Sequence, residues 1–344
     1  MTQFNEVPKP IINDPYEEPR QYYVIEKGKL PQLVEGRREA CYYYRPPGRQ
    51  TGRSQADDIG TRYPLELVND IRARAKAWRE AGYPGVTSVT DELLHYWKRP
   101  ERDGLRRLFF CQREAAETAI FLTEARADLR QGLSIPHDEP SEEVKARGYA
   151  GFLRYALKMA TGTGKTTVMG MLAAWSILNK VADRSDKRFS DVMLIICPNV
   201  TIRDRLQELD PHLGETSLYL TRDLVPPHLM NELRKGHVII TNWHVLAPQE
   251  LSQVGGVSAK VVNRGTESDT ALCARVLGPA VGNKGNILVL NDEAHHAYRL
   301  RQLDNTAEVE EADELAEAER KEATVWIEGP VSYTHLTLPT TPYV

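Results

Sequence analysis

The sequence is poor in the features that mark secreted, zinc-binding and membrane-spanning proteins. Its cysteines, Cys41, Cys111, Cys197 and Cys273, are far apart and form no CxxC pair, which argues against a zinc knuckle or a disulfide framework. No run of about 18 apolar residues is present, and Met1–Pro10 lacks the apolar core of a secretion signal. These absences predict a cytoplasmic protein with reduced thiols and no membrane span.

The sequence also has no overall excess of positive charge. Its 344 residues carry a formal net charge of −4, so charge alone does not indicate a nucleic-acid-binding protein. The charge is nevertheless uneven, because Lys and Arg are concentrated between Arg72 and Arg113, whereas Asp, Glu and Ala dominate Asp304–Glu322. The basic cluster has two interpretations, a solvated helix face with compensating glutamates or a patch that follows nucleic-acid phosphates.

The amino-terminal part of the chain changes character after about sixty residues. Residues 1–62 are rich in Pro, Tyr and Gly and show little helical periodicity, which predicts extended segments and loops. Apolar residues at helical spacing then predict helices over Leu65–Trp78, over Thr90–Trp97 with Thr90 as N-cap, and over Gln112–Leu129. The polar stretch Gln131–Gly148 is interpreted as a loop.

From Phe152 onward, short apolar runs alternate with helical patterns. The runs richest in Ile, Val and Leu are continuous, as expected of strands that are covered on both faces of a parallel sheet. The predicted strands are Phe152–Met159, Val192–Cys197, Ser217–Leu220, His237–Thr241 and Ile287–Asn291. The sequence therefore predicts an α/β fold built from strand–helix–strand units.

A glycine- and threonine-rich segment lies between the first of these strands and a predicted helix. It consists of Thr161, Gly162, Thr163, Gly164, Lys165, Thr166 and Thr167. The glycines let backbone N–H groups approach phosphate oxygens, and the helix that follows directs its positive end at the same anion. Lys165 is placed to reach the β- and γ-phosphates of ATP, and the Thr166 hydroxyl to bind Mg²⁺. The segment departs from the general phosphate-loop pattern at Met159, where glycine is expected.

Two adjacent carboxylates follow the last predicted strand. Asp292 and Glu293 begin the sequence Asp-Glu-Ala-His-His, at the end of a strand where α/β sheets bind their ligands. We expect Asp292 to hold Mg²⁺ and Glu293 to orient or activate the attacking water, with Lys165 completing the catalytic set. His295 and His296 are interpreted either as packing residues or, for His295, as a link between the nucleotide site and a second lobe.

These two motifs resemble those of the superfamily 2 DEAD/DEAH-box helicases and, more narrowly, those of the restriction (Res) subunit of type III restriction enzymes. Further segments that resemble family motifs are Phe109–Glu114 (the adenine-reading Q-type motif), Val192–Leu206 (motif Ia) and Val238–His244 (motif Ib). The resemblance implies that Gln112 pairs with the adenine edge. It also implies nucleic-acid backbone contacts from Pro198, Asn199, Thr201, Arg203, Thr241 and Asn242. For Asn199 and Thr201, helix capping is the alternative interpretation.

The resemblance further implies an α/β fold with one RecA-like, P-loop NTPase sheet and flanking helices, preceded by an extended and partly helical amino-terminal region. ATP and Mg²⁺ are the implied cofactors, and ATP-driven translocation along double-stranded DNA is the implied activity. A methyltransferase (Mod) subunit and a nuclease domain further along the chain are implied as well. Two alternatives stay open, a repair or chromatin-type translocase without nuclease and a nucleotide- and DNA-binding module without turnover.

The carboxyl-terminal residues have a different character from the rest. Val331–Thr340 is similar to an in-frame translation of the transposase-end adapter used in sequencing libraries, which predicts that residues 330–344 are not native. We therefore expect an amino-terminal region over residues 1–104, a RecA-like lobe over 105–329, and a non-native tail. A second lobe with its arginine finger would then be missing, so this chain alone is expected to hydrolyse little ATP.

Overall fold

The computed structural model describes most of the chain between Lys9 and Glu293. The described residues are 9–25, 29–44, 60–102, 104–139, 142–146, 151–246, 269–278, 281 and 286–293. The chain divides into two compact units that interleave along the sequence. The first comprises Met1–Val86, Trp97–Ser134 and Thr161–Thr163, and the second Thr87–Tyr96, Ile135–Ala160 and Gly164–Val344. The boundary predicted at residue 104 stays a prediction, and the predicted tail over residues 330–344 lies outside the described residues.

The strands and helices alternate irregularly along the chain. The strands are β1 (Gln21–Val24), β2 (Gln32–Glu35), β3 (Cys41–Tyr44), β4 (Thr61–Pro64), β5 (His137–Asp138), β6 (Phe152–Leu153), β7 (Val192–Cys197), β8 (His237–Asn242) and β9 (Leu288–Asn291). The helices are α1 (Glu66–Glu80), α2 (Ser88–Lys98), α3 (Phe110–Glu124), α4 (Ala127–Arg130), α5 (Glu142–Ala146), α6 (Lys165–Ala182), α7 (Val200–Leu206), α8 (Leu218–Thr221), α9 (Met230–Leu233) and α10 (Asp269–Leu277). Short 3₁₀ turns occur at Gly104–Arg106, Gln207–Leu209, Pro211–Thr216, Pro227–Leu229 and Trp243–Leu246.

The first unit begins with two antiparallel ribbons, as the extended character of residues 1–62 predicts. β1 pairs with β2, and β3 pairs with β4. In the second ribbon Tyr42 lies opposite Tyr63, and their rings stack with centroids 5.3 Å apart. Between the ribbons, Arg37 makes a bidentate ion pair with Glu114 of α3 at 2.5 and 2.6 Å. This geometry is the strongest that an ordinary ion pair adopts, so it fixes the extended segment to the helix.

A buried aromatic cluster joins α1 to α3 in the same unit. The Trp78 ring contacts Tyr83 and Phe121 edge to face, with centroids 4.9 and 5.6 Å away. Beside it, the Glu117 side chain is only 4% exposed and accepts hydrogen bonds from Arg79 and Tyr83. Burial and the Glu117 charge raise the pKa of the Tyr83 hydroxyl, which keeps it protonated as a donor. A carboxylate buried this deeply is tolerated because it has both partners.

Several members of the basic cluster are engaged inside the first unit. Arg74 donates to the carbonyl oxygens of Leu129 and Gln131, and Arg113 donates to that of Tyr16 at 2.6 Å. Further pairs are Lys76 with Glu18, Arg79 with Glu117, and Arg107 over the ring of Tyr16. For these side chains the structure favours a helix face with compensating partners over a phosphate-following patch.

The second unit is built on a three-stranded parallel sheet in the order β8–β7–β9. Every residue of β7 is buried, as its continuous apolar sequence predicts. Ile196 of β7 lies beside Thr241 of β8 and Asn291 of β9, so the three strands end at one edge. One apolar cluster of this unit contains Val192, Leu194, Ile196, Leu246, Leu272, Cys273, Val276, Leu277, Val281, Ile287 and Val289, with Ile239 and Trp243 against it. The predicted α/β class is confirmed.

Helix α6 is the longest of the described helices and is buried over most of its length. Gly170 brings it close to α8, because a Cβ atom there would lie 3.0 Å from side-chain carbons of Leu218 and Leu224. Near the other end, the buried Asn179 donates to the hydroxyl of Thr90 at 2.8 Å, which ties α2 to α6. None of the described helices combines the length and the apolar character needed to cross a bilayer.

The strand predicted at Ser217–Leu220 is wrong. These residues begin the single-turn helix α8, in which Thr221 and Arg222 donate to the carbonyl oxygens of Ser217 and Leu218. A short apolar run fits a buried helical turn as well as it fits a strand. Here the turn buries Leu218 against α6, and that packing decides the outcome.

The strand predicted at Phe152–Met159 is also mostly wrong. Only β6 is a strand, and it pairs antiparallel with β5, inside the stretch predicted to be a loop. From Ala156 to Ala160 the residues alternate between exposed and half-buried without joining a ladder. The basic residues Arg154 and Lys158 interrupt the apolar pattern, so little of this segment can be buried in a sheet.

Two predicted helices have different ends from those expected. The helix over Gln112–Leu129 divides into α3 and α4, because Ala125 has an extended ψ of 145°. Helix α2 begins at Ser88, and the hydroxyl of Thr87, instead of that of Thr90, accepts a first-turn N–H. The capping side chain is therefore that of Thr87, three residues before the predicted Thr90.

We predict that Glu117→Ala lowers the free energy of unfolding of the first unit by about 3–5 kcal/mol, because it leaves the Arg79 side chain, which is only 13% exposed, without its ion-pair partner. The measurement is urea denaturation followed by tryptophan fluorescence, since Trp78 lies in the same cluster. Glu80→Ala, at the exposed end of α1, is the control and should change the value by less than about 0.5 kcal/mol. Equal stability of the two variants would contradict the assigned role of Glu117.

Candidate functional site

Part of the predicted site lies at the ends of the three parallel strands. Pro198 and Asn199 follow β7, Asn242 ends β8, and Asp292 and Glu293 follow β9. Asp292 continues the pairing of β9, since its N–H donates to the carbonyl oxygen of Ile196 at 2.9 Å. The carboxyl edge of a parallel sheet is where α/β proteins bind their ligands.

The glycine- and threonine-rich segment leads directly into α6. Gly162 and Gly164 have φ angles of 79° and 82°, left-handed values that glycine adopts without steric cost. Gly164 is the N-cap of α6 and Lys165 is its first residue. No side chain caps this helix end, and its first turn contains no acidic residue. The positive end of an 18-residue helix is therefore available to an anion.

Asp292 is a buried carboxylate, only 7% exposed. Burial raises its pKa above the ordinary value, and the neighbouring Glu293 carboxylate raises it further. The positive charges of Lys165 and Arg205 oppose this rise but do not cancel it. Asp292 thus lies in surroundings that disfavour its ionised form.

Glu293 is held in a strained conformation and faces the first residue of α6. Its φ of 55° lies in the left-handed region, which is costly for a residue other than glycine. Its N–H donates to the Asp292 carboxylate at 3.1 Å. Its Oε1 lies 3.9 Å from Nζ of Lys165, and both side chains are about one-third exposed. Lys165 and the acidic pair, which the sequence separates by more than a hundred residues, therefore lie side by side.

These residues fit Mg²⁺ and a triphosphate by their chemistry. A divalent cation beside Asp292 would favour its ionised form, which burial and the Glu293 charge disfavour. The hydroxyl of Thr166, in the first turn of α6, is a hard oxygen ligand of the kind that Mg²⁺ prefers. Thr161 is exposed, Thr163 is half-buried, and Thr167 is buried at 6% exposure. The three threonines therefore differ in how accessible they are to a ligand from solvent.

Gln112, the predicted adenine-reading residue, is buried beside the glycine- and threonine-rich segment. It lies in the first turn of α3 and is only 6% exposed. Its Oε1 accepts the N–H of Phe109 at 2.9 Å, and its Nε2 donates to the carbonyl oxygen of Thr163 at 2.9 Å. Both ends of the amide are therefore engaged with backbone groups.

The predicted motif Ia residues surround the start of α7. Asn199 caps this helix by accepting the N–H of Ile202 at 2.9 Å, as the capping interpretation proposes. Thr201 is exposed and Pro198 half-buried. The guanidinium of Arg203 pairs with its neighbour Asp204 at 3.0 Å.

The predicted motif Ib residues are less accessible. Thr241 is only 8% exposed, which leaves little of it for a DNA phosphate to reach. The Cys197 thiol lies 3.2 Å from Oδ1 of Asn242, which accepts its hydrogen bond. Burial, reinforced by the Asp292 charge, raises the pKa of this thiol to about 11, so it remains a protonated donor.

Arg205 was not among the predicted residues. It is exposed on α7, and its positive charge opposes the rise in the pKa of Asp292. Its contribution follows from the strand order, because β7, which precedes α7, is the neighbour of β9. Sequence spacing alone does not reveal that adjacency. His295 and His296 lie outside the described residues.

One comparison with known proteins gives a match. The family described as "Type III restriction enzyme, res subunit" matches residues 108–321, more than half of the chain. No curated protein and no solved structure matches the chain.

We predict that Asp292→Asn stabilises the protein at neutral pH in the absence of divalent metal. Because the folded-state pKa of Asp292 is raised, the folded protein binds this proton more tightly than the unfolded chain does. Stability from this group is therefore complete at low pH and is lost as pH rises through the raised pKa. Unfolding in EDTA should show the variant above the wild type at pH 7, with the gap closing as pH falls.

Asp204→Asn is the matched control for this experiment, since Asp204 is exposed on α7 and paired with Arg203. It should not stabilise the protein. A gap between Asp292→Asn and the wild type that stayed constant with pH would show that the buried charge is not its cause.

We predict that Glu293→Gln tightens the binding of tripolyphosphate by about two- to fivefold, the range expected for release of a partly exposed ion pair. The variant frees Lys165 and removes a negative charge beside the anion. Isothermal titration measures the effect, and Glu215→Gln, which removes the same charge from an exposed turn, should leave the affinity unchanged. Weaker binding by Glu293→Gln would count against competition between Glu293 and phosphate for Lys165.

Proposed function

The chain belongs to the family of the type III restriction enzyme Res subunit, and on this basis we propose that it is the nucleotide-binding lobe of an ATP-driven motor that moves along double-stranded DNA. Membership supports an ATP-dependent, helicase-like motor with a RecA-like, P-loop NTPase fold. It also favours a restriction system over the repair or chromatin-type alternative. The observation that carries the proposal is the placement of Lys165 next to Glu293, at the edge where Asp292 is buried.

Each residue of the site has one task in this proposal. Lys165 and the backbone N–H groups from Gly162 to Thr167 bind the β- and γ-phosphates of ATP. Thr166 and Asp292 hold Mg²⁺, which neutralises phosphate charge when it is bound. Glu293 then orients the attacking water or accepts its proton, once the triphosphate has drawn Lys165 away from it.

Burial and the Glu293 charge raise the pKa of Asp292. A divalent cation held beside Asp292 would favour the ionised carboxylate, which is the form that coordinates a metal. Because such a cation would offset negative charge on both the carboxylates and the phosphates, Mg²⁺ and the triphosphate would favour each other's binding.

Contacts with DNA are proposed for the turn between β7 and α7. Thr201 and Asn199 are exposed there, and Arg203 and Arg205 supply positive charge from the same helix. Hydroxyls, amides and guanidinium groups of this kind bind phosphates without reading bases, as a motor that passes over any sequence requires. A methyltransferase subunit is proposed as the partner that supplies sequence recognition, by the general organisation of the family.

We predict that the chain binds MgATP and that Lys165→Ala abolishes this binding, because the loop then has no side-chain cation for the phosphates. Lys180→Ala is the matched control, since Lys180 lies near the far end of the same helix and donates only to the carbonyl oxygen of Asp186. At ATP a hundredfold above the dissociation constant, binding should stabilise the wild type and the control by about 2.7 kcal/mol. Failure of the wild type to bind MgATP at millimolar concentration would refute the proposed function.

A further inference from the structure

The second antiparallel ribbon, formed by β3 and β4, is exposed on both of its faces. All of β4 is exposed, and in β3 only Cys41 is half-buried. Its tyrosines, Tyr42, Tyr43, Tyr44 and Tyr63, are 42–49% exposed. A two-stranded ribbon needs a further strand or a packed face to be stable in water, and tyrosine is enriched where proteins meet. The ribbon therefore has the composition of an interface.

The base of the ribbon is fixed to α1, and the bonds there set the phase of its ladder. The Asn69 amide accepts the N–H of Ala40 and donates to the carbonyl oxygen of the same residue, at 2.8 and 3.1 Å. The N–H of Leu65 donates to that oxygen as well, at 2.8 Å. Because the register of the ribbon, extended by one residue, places Ala40 opposite Leu65, these two residues form a hydrogen-bonded pair.

The outward backbone groups of Cys41 and Tyr43, the β3 edge, can accept another strand. Along an antiparallel ladder, hydrogen-bonded pairs alternate with pairs whose N–H and C=O groups point outward. Counted from Ala40, the outward residues of β3 are Cys41 and Tyr43. Within the part of the chain that the structure describes, no hydrogen bond is made by these outward groups. Unpaired groups of this kind are a template for pairing with a further strand.

The opposite edge of the ribbon is less suitable for pairing. Its outward residues are Arg62 and Pro64, which lie opposite Tyr43 and Cys41. Because Pro64 has no N–H, a strand added beside β4 would lack a ladder hydrogen bond there. A third strand is therefore expected at the β3 edge.

The charge of the ribbon decides the class of partner. Arg62 is the one charged residue in β3 and β4, and its guanidinium pairs with the Glu39 carboxylate at 2.9 Å. Nucleic-acid binding draws its affinity from uncompensated positive charge, which the two strands lack. A neutral strand, in contrast, can meet its own copy without repulsion. Antiparallel pairing of two identical strands also generates a twofold axis, the commonest symmetry of protein oligomers.

We propose that the β3 edge pairs with the β3 edge of a second copy of this chain, so that the two ribbons form one antiparallel sheet. The register that uses both outward residues places Cys41 opposite Tyr43 of the second copy, and Tyr42 opposite its own copy on the twofold axis. Tyr42, Tyr44 and Tyr63 lie on one face of the ribbon, since Tyr42 stacks on Tyr63 and side chains alternate along a strand. These tyrosines of both copies would thus line one face of the sheet. The proposal concerns association of the chain and does not depend on the proposed function.

Sedimentation velocity of the whole chain tests the proposal. The contact is small, so we expect a reversible dimer with a dissociation constant on the order of 10 µM. Tyr43→Pro removes the outward N–H of β3 and should weaken dimerisation at least about tenfold. Arg62→Pro is the matched control, because it removes an outward N–H from the opposite edge, and it should leave the dissociation constant unchanged. A wild type that stays monomeric at about 200 µM, or equal weakening by both variants, would overturn the proposal.

A cross-link gives a second measurement that does not depend on proline. Residues opposite each other on the axis are close enough for a disulfide, so Tyr42→Cys should form a covalent dimer with oxidised glutathione. The background is Cys41→Ser with Cys111→Ser, which removes the two half-buried thiols. Tyr63→Cys in the same background loses the same ring stack but lies on β4, away from the axis, and should remain monomeric on a non-reducing gel. Cross-linking of Tyr63→Cys instead, or of neither variant, would contradict pairing at the β3 edge.

Discussion

The candidate site depends on one electrostatic constraint, a buried carboxylate that lies beside a second carboxylate at the end of a buried strand. Burial and the neighbouring Glu293 charge raise the pKa of Asp292. Lys165 approaches Glu293, and the positive charges of Lys165 and Arg205 act on Asp292 in the opposite sense. The sheet creates the constraint, because β9 lies against a fully buried β7 and delivers both acidic residues to one edge. The lysine proposed to bind phosphate thus lies beside one of the two carboxylates.

The parts of the fold that the sequence predicted correctly are those with strong and local signals. β7, β8 and β9 are continuous apolar runs, too short for helices and rich in branched residues, and each lies within a residue or so of its predicted position. The start of α6 was predictable because the glycine- and threonine-rich segment before it is typical of a phosphate-binding loop that leads into a helix. The strand predictions for Ser217–Leu220 and Phe152–Met159 were wrong for a common reason. The structure of a four-residue apolar run, or of a run interrupted by Arg and Lys, is determined by packing against residues that are distant in sequence.

Site residues divide in the same way. Lys165, Asp292 and Glu293 were proposed from chemistry and spacing, and the structure places Lys165 beside Glu293. Gln112 and Asn199 were assigned to ligands by resemblance, yet in the structure each satisfies backbone groups. A polar side chain at the start of a helix has backbone hydrogen-bond partners within a few residues. The sequence alone does not tell whether the side chain binds these backbone groups or a ligand. Arg205 was not predicted, because its electrostatic effect on Asp292 depends on the order of the strands in the sheet.

The interleaving of the two units has a consequence for synthesis on the ribosome. Residues 1–86 and 97–134 of the first unit emerge early, but its last piece, Thr161–Thr163, emerges only after α2 and the stretch from Ile135 to Ala160. The first unit therefore has its full set of residues only after Thr163 has been synthesised. Domains that are contiguous in sequence can fold as they leave the exit tunnel, one after another. Here neither unit can be completed in that vectorial manner, and neither can be excised as a single uninterrupted stretch of polypeptide.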